Sequence, residues 1–113
     1  MNAPAASLPV TGFGAGFFRV GETVHRGAIL LTRDACAPWG GLEDPAPLLA
    51  LIGQVDVLVI GTGAQMAFLP KALQDALDES GIGVEPMATK VALRSYNMLL
   101  GDGRRIALAA LPV

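Results

Sequence analysis

Cysteine and histidine are scarce in this sequence, with one of each among 113 residues. A single thiol, Cys36, excludes an intramolecular disulfide. Structural zinc sites normally take four cysteine or histidine ligands, whereas this chain offers only Cys36 and His25. We therefore expect no metal site and no cofactor, and the composition suits a reducing compartment.

Charged residues are also few, at 16% of the chain against about 25% in ordinary soluble domains. The formal net charge of -2 lacks the basic excess that is typical of nucleic-acid-binding proteins, so we expect no nucleic-acid partner. Hydrophobic residues reach 52%. Such a surplus indicates elements buried on all sides, or an apolar surface that meets a protein partner.

The sequence lacks an apolar run of the roughly 18 residues that span a bilayer. Gln54 and Asp56 interrupt the best candidate, residues 48–60. The opening "MNAPAASLPV" has no basic segment followed by an apolar one, which a secretory signal requires. We therefore expect a protein that does not span a membrane and that resides in the cytoplasm.

The length predicts a single domain over residues 1–113. Residues 1–16 are rich in Ala, Pro and Gly and carry no charge, so we expect a frayed tail there, with residues 1–11 flexible. The stretch "FFRVGETVHRGAILL" then predicts a hairpin of two strands around Gly21 and Glu22, because Gly at the first loop position suits a type II′ turn. "TRDACAPWGG" predicts a loop.

The middle of the chain predicts a short helix, a strand and a second helix. Asp44 is the expected N-cap of the first helix, with Pro45 at its first position. "VDVLVIG" is almost continuously apolar, which predicts the central strand of a covered sheet. Helical spacing follows between Pro70 and Gly81, at Leu69, Leu73, Ala76 and Leu77.

After a short strand at "VEP", Thr89 is expected to cap a third helix. The buried face of this helix is predicted to hold Ala92, Tyr96 and either Leu99 or Leu100. "GDG" at 101–103 ends the helix, and "RRIALAALPV" predicts a buried closing strand. Strands that alternate with helices, after an opening hairpin, predict a mixed α/β sheet with helices packed on it.

Several stretches together resemble a family of small α/β domains that includes a mitochondrial assembly factor of respiratory complex I. They are "GFGAGFFRVGETVHRGAILL", Trp39, "VDVLVIGTG" with the later "FLP", and "GIGVEPMATKVALRSYNMLLGDGRRIALAALPV". The resemblance implies a three-layer α/β fold with a mixed central sheet, no established enzymatic activity, and a role in building a membrane-bound complex. The chain departs from the family pattern at Ala88 and Lys90, where "MDTG" commonly places Asp and Gly.

The glycine turn at residues 61–64 is the first candidate site, because it follows a strand and precedes a helix, where backbone N–H groups can hold an anion. The sequence matches neither Gly-x-Gly-x-x-Gly nor a Walker loop. Two interpretations stay open, a tight structural turn and a small ligand pocket. The candidate pocket residues are Gly61, Thr62, Gly63, Ala64, Arg94, Tyr96 and Asn97.

Within that set, Arg94 is expected to meet either an anion or Glu85 of the preceding strand. Tyr96 is expected to be buried, with its hydroxyl bonded to a backbone group. No catalytic residue is predicted, because Cys36 and His25 are not expected to be in contact. Asp75, Asp78 and Glu79 are expected to form a solvated helix face.

Two functions of different classes remain open from the sequence. The first is a non-enzymatic accessory protein that docks on a protein partner, at the membrane surface or away from it, during assembly of a membrane-associated complex. Trp39 is its predicted partner contact, because tryptophan is enriched at interface hot spots. The alternative is a small-molecule-binding protein or enzyme that uses the turn at residues 61–63 together with Arg94.

Overall fold

A computed structural model of the chain describes residues 8–33 and 35–113. Five strands open the described chain, and helices and strands alternate after them. In order, the elements are β1 (Val10–Gly14), β2 (Phe17–Val20), β3 (Thr23–Arg26), β4 (Ile29–Leu31), β5 (Cys36–Pro38), α1 (Ala46–Leu49), β6 (Val57–Gly61), α2 (Lys71–Glu79), β7 (Gly83–Met87), α3 (Thr89–Gly101) and β8 (Ile106–Ala110).

The larger sheet has the strand order β5-β4-β8-β6-β7. β6 runs parallel to both β7 and β8, whereas β4 is antiparallel to β8 and to β5. The sheet is therefore mixed, as predicted. The middle strand is β8 and not β6, which corrects the sequence prediction. Both strands are buried on both faces, and an all-apolar pattern does not distinguish one interior position from another.

The smaller sheet has the antiparallel order β1-β2-β3. Its predicted hairpin is confirmed, since Val20 pairs with Thr23 across the two-residue loop. Gly21 has φ +59°, and no non-glycine residue in the described chain has positive φ. A positive φ at the first loop position alone is the feature that the predicted type II′ turn requires.

Three predictions for the first 40 residues need correction. β1 covers Val10–Gly14, where a frayed tail was expected; residues 1–7 of that predicted tail lie outside the described residues. The predicted second hairpin strand is two strands, because the chain leaves the small sheet at Gly27, whose φ is +81°, and enters the large sheet as β4. β5 lies within the predicted loop and extends the sheet beyond β4.

Two hydrophobic cores lie on opposite faces of the large sheet. Leu48 of α1 and Leu73 and Leu77 of α2 belong to one core, together with Leu58 and Ile60 of β6. The other core is shared by α3 and the small sheet, through residues such as Ala92, Tyr96, Phe18 and Val20, and by Val59 of the large sheet. The arrangement is the predicted three-layer α/β fold with a mixed central sheet.

The predicted N-caps differ from the observed ones. The Asp44 carboxylate accepts a bond from the Gly40 N–H at 3.3 Å, and α1 starts after Pro45 without a side-chain cap. Ala88 is the N-cap of α3, and Thr89 is its first residue.

The longest described helix is α3, with 13 residues. No helix in the part of the chain that the structure describes is long and apolar enough to cross a bilayer.

Candidate functional site

The glycine turn leaves β6 at the carboxyl end of the parallel strands, and its backbone polar groups bond to other parts of the chain. The Thr62 N–H donates to the Met87 carbonyl oxygen at 2.9 Å, and the Gly61 carbonyl oxygen accepts from the Leu111 N–H at 2.9 Å. The Gly63 carbonyl oxygen accepts from the Thr89 N–H at 2.8 Å. These bonds join the ends of β6, β7 and β8 to the start of α3.

Thr89 completes this junction with its side chain. Its Oγ1 accepts a hydrogen bond from the Gly63 N–H at 2.8 Å and donates one to the Leu111 carbonyl oxygen at 2.8 Å. The residue is fully buried, at 0% exposure. The Gly63 N–H, which an anion at this turn would need, is therefore already bonded within the protein.

The two glycines of the turn have different structural roles. A Cβ on Gly61 would lie 2.8 Å from Thr89 Oγ1 and 3.0 Å from Thr89 Cα, so the close approach of α3 leaves no room for a side chain. Gly63 has φ +105° and open space around its Cβ position, so its constraint is conformational.

Thr62 folds the loop that follows the turn. Its Oγ1 lies 2.8 Å from the Gln65 carbonyl oxygen and 3.1 Å from that of Met87, and it accepts from the Ala67 N–H at 2.9 Å. Ala64 is exposed at the loop surface. The contacts of the turn are thus those of a structural junction.

The other three candidate pocket residues, Arg94, Tyr96 and Asn97, lie on α3 and not at the turn. Arg94 and Asn97 line an open groove of about 480 Å³ between α3 and β1, and none of the residues from Gly61 to Ala64 lines it. Asn97 pairs with Val10 of β1 through both amide atoms: Oδ1 accepts from the Val10 N–H at 2.9 Å, and Nδ2 donates to the Val10 carbonyl oxygen at 2.8 Å.

Arg94 does not form the ion pair with Glu85 that the sequence suggested. Within the described residues, the salt bridges join Lys71 to Asp75 and Arg105 to Asp56. Arg94 is exposed on α3. Its guanidinium thus forms no salt bridge with any residue that the structure describes.

Tyr96 points into the core that α3 shares with the small sheet and is fully buried. Its hydroxyl has no hydrogen-bond partner among the described residues, so the predicted backbone partner is not found. Burial raises the pKa of Tyr96 to about 12, and the charge of the Cys36 thiolate adds to the increase. The phenol is therefore neutral at physiological pH.

Cys36 and Trp39 belong to β5 and its continuation. Partial burial raises the pKa of the Cys36 thiol, which disfavours the thiolate. Trp39 is only 5% exposed, and its Nε1–H donates to the Asp44 carbonyl oxygen at 3.1 Å. The indole packs in the core. This buried position does not support the predicted role of Trp39 as a partner contact.

Ionisable residues do not cluster into a metal site within the described chain, since no group of three or more His, Cys, Asp or Glu side chains is found there.

Two other surface features were not predicted from the sequence. Phe68 is 86% exposed in the loop before α2. A cavity of about 340 Å³ at the opposite end of the large sheet is lined by Arg33, Arg104 and Arg105. "RR" immediately before the buried closing strand was the available signal for the cavity.

Comparisons with known proteins agree with this architecture. A family model described as a protein of unknown function (DUF498/DUF598) matches residues 10–111. The chain belongs to this family. This DUF498/DUF598 member is 50% identical to an uncharacterised protein of Rhodobacter capsulatus over 109 residues, which cover 96% of the chain and 88% of that protein. The predicted family resemblance is thereby confirmed.

Two further proteins that resemble this DUF498/DUF598 member are one of known structure and one described as an assembly factor. A crystal structure from Bartonella henselae, described as an outer membrane protein, matches with a TM-score of 0.85 at 32% identity, over 94% of this chain and 95% of that one. NADH dehydrogenase (ubiquinone) 1 alpha subcomplex assembly factor 3 of Danio rerio is 37% identical over 59 residues. That match covers 52% of this chain and 34% of the assembly factor.

Proposed function

We propose that this protein is a non-enzymatic accessory protein that docks on a protein partner during assembly of a membrane-associated respiratory complex. The likeness to the Danio rerio assembly factor supports the class of function. The observation that carries the proposal is the open groove between α3 and β1, which combines exposed apolar side chains with positive charges that form no salt bridge with a described residue. We further propose that the protein acts from the cytoplasm.

The docking groove is defined by the residues that line it: Val10, Gly12, Phe13, Lys90, Leu93, Arg94, Asn97 and Met98. Val10 and Leu93 are buried at its base, whereas Met98 is 69% exposed and Phe13 is 39% exposed. Apolar side chains of this size at a concave surface are typical of a protein interface. Part of the hydrophobic surplus in the composition therefore lies at the surface of this groove.

The charges of the docking groove indicate the chemistry of the partner. Lys90 and Arg94 are four residues apart on α3, so they lie on one face of the helix. Neither forms a salt bridge within the described chain. Electrostatic complementarity therefore favours an acidic segment with apolar anchors, such as an amphipathic helix laid in the groove.

The alternative function is a small-molecule site at the glycine turn with Arg94. Two observations favour docking over this alternative. The backbone groups of Gly61 and Gly63 are already bonded within the chain. The groove that Arg94 lines includes no residue of the turn. Thermal-shift measurements with nucleotides and organic acids distinguish the two. Stabilisation by such a ligand, lost on Gly63→Ala and on Arg94→Gln, would support the alternative.

Affinity capture from mildly solubilised membranes of the source cell tests the docking proposal. We expect the wild-type chain to recover subunits or assembly proteins of one membrane complex, identified by mass spectrometry. The double variant Arg94→Glu/Met98→Asp should lose them, because it reverses one charge and places another in the apolar groove. Ile52→Asp is the matched control, since Ile52 is 42% exposed on the other side of the large sheet.

The melting temperature of each variant is measured first, so that loss of capture is not confused with unfolding. Equal capture by the double variant and the wild type would contradict docking at this groove. Loss of capture by Phe68→Ser alone would move the interface to the loop before α2. Failure of the wild type to recover any subunit or assembly protein of a membrane complex would contradict the proposed function.

A further inference from the structure

The Arg-lined cavity lies at the amino end of the parallel strands, opposite the glycine turn. The antiparallel register pairs Leu31 of β4 with Leu108 of β8, so the residues that follow β4 lie beside those that precede β8. This places Arg33 next to Arg104 and Arg105 around one cavity of about 340 Å³. The volume lies within the range of roughly 300–1,000 Å³ that is usual for small-molecule sites.

The floor of the cavity is apolar. Leu51, Val55 and Ile106 line it and are at most 9% exposed. They come from the segment between α1 and β6 and from the first residue of β8. An apolar floor beneath a rim of cationic side chains is suited to a ligand that has an apolar body and an anionic end.

The three arginines are not equally available. Arg105 holds Asp56 with two hydrogen bonds, Nη2 to Oδ1 at 2.7 Å and Nε to Oδ2 at 3.2 Å. Arg33 and Arg104 form no salt bridge with a described residue. The hydrogen bond from Arg105 lowers the pKa of Asp56, and the charges of Arg105 and then of Arg104 lower it further, so Arg104 also contributes to the local potential.

Arg104 and Arg105 follow the carboxyl end of α3, where positive charge also stabilises a helix. That role does not account for Arg33, which belongs to another segment, or for the apolar hollow that the three side chains surround. Asp56 is already bound to Arg105, and the neighbouring Asp102 does not line the cavity. Among the described residues, Arg33 and Arg104 therefore have no carboxylate partner. Guanidinium groups match the oxygens of phosphate and carboxylate.

We propose that this cavity is a binding site for a small organic oxyanion, a molecule in which a phosphate or carboxylate group is attached to a compact apolar body. The oxyanion meets Arg33 and Arg104, and the apolar body lies on Leu51, Val55 and Ile106. The site is separate from the docking groove, and it does not depend on the proposed function.

Nuclear magnetic resonance titration of the full chain tests the site, with phenyl phosphate, benzoate and inorganic phosphate as probes. We expect saturable shifts of the Arg33 and Arg104 side-chain resonances with at least one of the two organic anions. Inorganic phosphate should bind at least about tenfold more weakly than phenyl phosphate, because it lacks the apolar body. Comparison of phenyl phosphate with benzoate identifies the preferred oxyanion.

Matched variants separate the site from general attraction of anions. Arg33→Gln and Arg104→Gln should each weaken binding at least about tenfold, since each removes a charge-assisted bond. Arg19→Gln removes an exposed arginine of β2 outside the cavity and should leave binding unchanged. Asp56→Asn should strengthen binding, because it removes the competing carboxylate and frees Arg105.

Three results would overturn the proposal: shifts that do not saturate with either organic anion, equal weakening by Arg19→Gln and Arg104→Gln, or inorganic phosphate that binds as well as phenyl phosphate. Arg94→Glu/Met98→Asp, the docking-groove variant, should bind the probes as the wild type does. Failure of the anion site and failure of the docking proposal are therefore distinguishable.

Discussion

The Thr89 hydroxyl oxygen lies 2.8 Å from both the Gly63 backbone nitrogen and the Leu111 carbonyl oxygen, and joins a turn to the end of the middle strand. Thr89→Val keeps the shape but leaves the N–H and the carbonyl unpaired. We expect a loss of about 1–3 kcal/mol in the free energy of unfolding, because two part-buried polar groups lose their partner. Chemical denaturation measures it.

Thr89→Ser is the control for this prediction, because serine keeps the oxygen and loses only a methyl group. The serine variant should retain most of the stability that the valine variant loses. Equal stability of Thr89→Val and the wild type would show that the two hydrogen bonds contribute nothing net to folding.

The two glycines of the turn should respond differently to alanine. Gly61→Ala forces its Cβ against Thr89 and should cost about 1–3 kcal/mol by overpacking. Gly63→Ala meets no atom but strains a backbone with φ +105°, at a cost of about 1–3 kcal/mol. Melting curves of both variants, measured beside partner capture and ligand binding, check the prediction that stability falls without a specific binding defect. An unchanged melt of Gly63→Ala with lost ligand binding would instead indicate a ligand site at the turn.

Tyr96 links stability to alkaline pH. Its pKa is about 12 in the folded chain, against an ordinary value of 10.0 that the unfolded chain keeps, so below pH 10 the hydroxyl is protonated in both the folded and unfolded states. Between about pH 10 and pH 12 the unfolded chain loses this proton first, and stability falls by up to roughly 3 kcal/mol. The chain has one tyrosine, so phenolate absorbance reports this titration directly.

Tyr96→Phe should remove the alkaline loss that the phenol causes. At neutral pH the same variant should be as stable as the wild type or up to about 1 kcal/mol more stable, because it deletes a buried hydroxyl that has no hydrogen-bond partner among the described residues. A loss of more than about 1 kcal/mol at neutral pH would show that the hydroxyl has a stabilising partner.

Asn97 should control the attachment of β1 to α3. Asn97→Ala removes both bonds to the Val10 backbone and should lower stability by about 1–3 kcal/mol. Hydrogen exchange at the Val10 amide should accelerate more than exchange in β6. Arg94→Ala, one turn earlier on the same helix, is the control. Unchanged protection of Val10 in Asn97→Ala would contradict this role.

The elements that the sequence predicted best have a pattern that local chemistry determines. α2 carries Leu73 and Leu77 at helical spacing on its buried face and is followed by Gly81, whose φ is +87°. β8 is apolar throughout because helices and the small sheet cover both faces of its sheet. Such features are visible in a window of a few residues.

β1 escaped prediction because "VTGFG" has glycine at alternate positions and therefore no apolar alternation. It is stabilised by pairing with β2 and by Asn97, which is 87 residues away from Val10. Trp39 was predicted as a partner contact, because it lies in a Pro- and Gly-rich loop and tryptophan is enriched at interface hot spots. Its burial depends on a backbone bond to Ala28 and on the Asp44 carbonyl, contacts that no local pattern reveals.

The sequence predicted one candidate site, whereas in the fold the turn residues lie apart from Arg94 and Asn97. The turn and its strand were located correctly, but the contacts of Thr89 depend on the register between α3 and the sheet. Arg94 and Tyr96 are near neighbours in sequence, yet one faces solvent and the other lies in the core. Sequence spacing gave their relative positions on the helix, and only packing determined which of them meets the groove.

The position of β8 has a consequence for how the chain folds. β8 is the last strand of its sheet in sequence, yet it lies between β4 and β6 and pairs with both. A chain in which β8 has not yet paired would leave the backbone groups of β4 and β6 that face it unpaired, and such edges are prone to pair with other chains. Pairing between strands that are distant in sequence is intrinsically slow, so we expect the chain to be most prone to aggregation before β8 pairs.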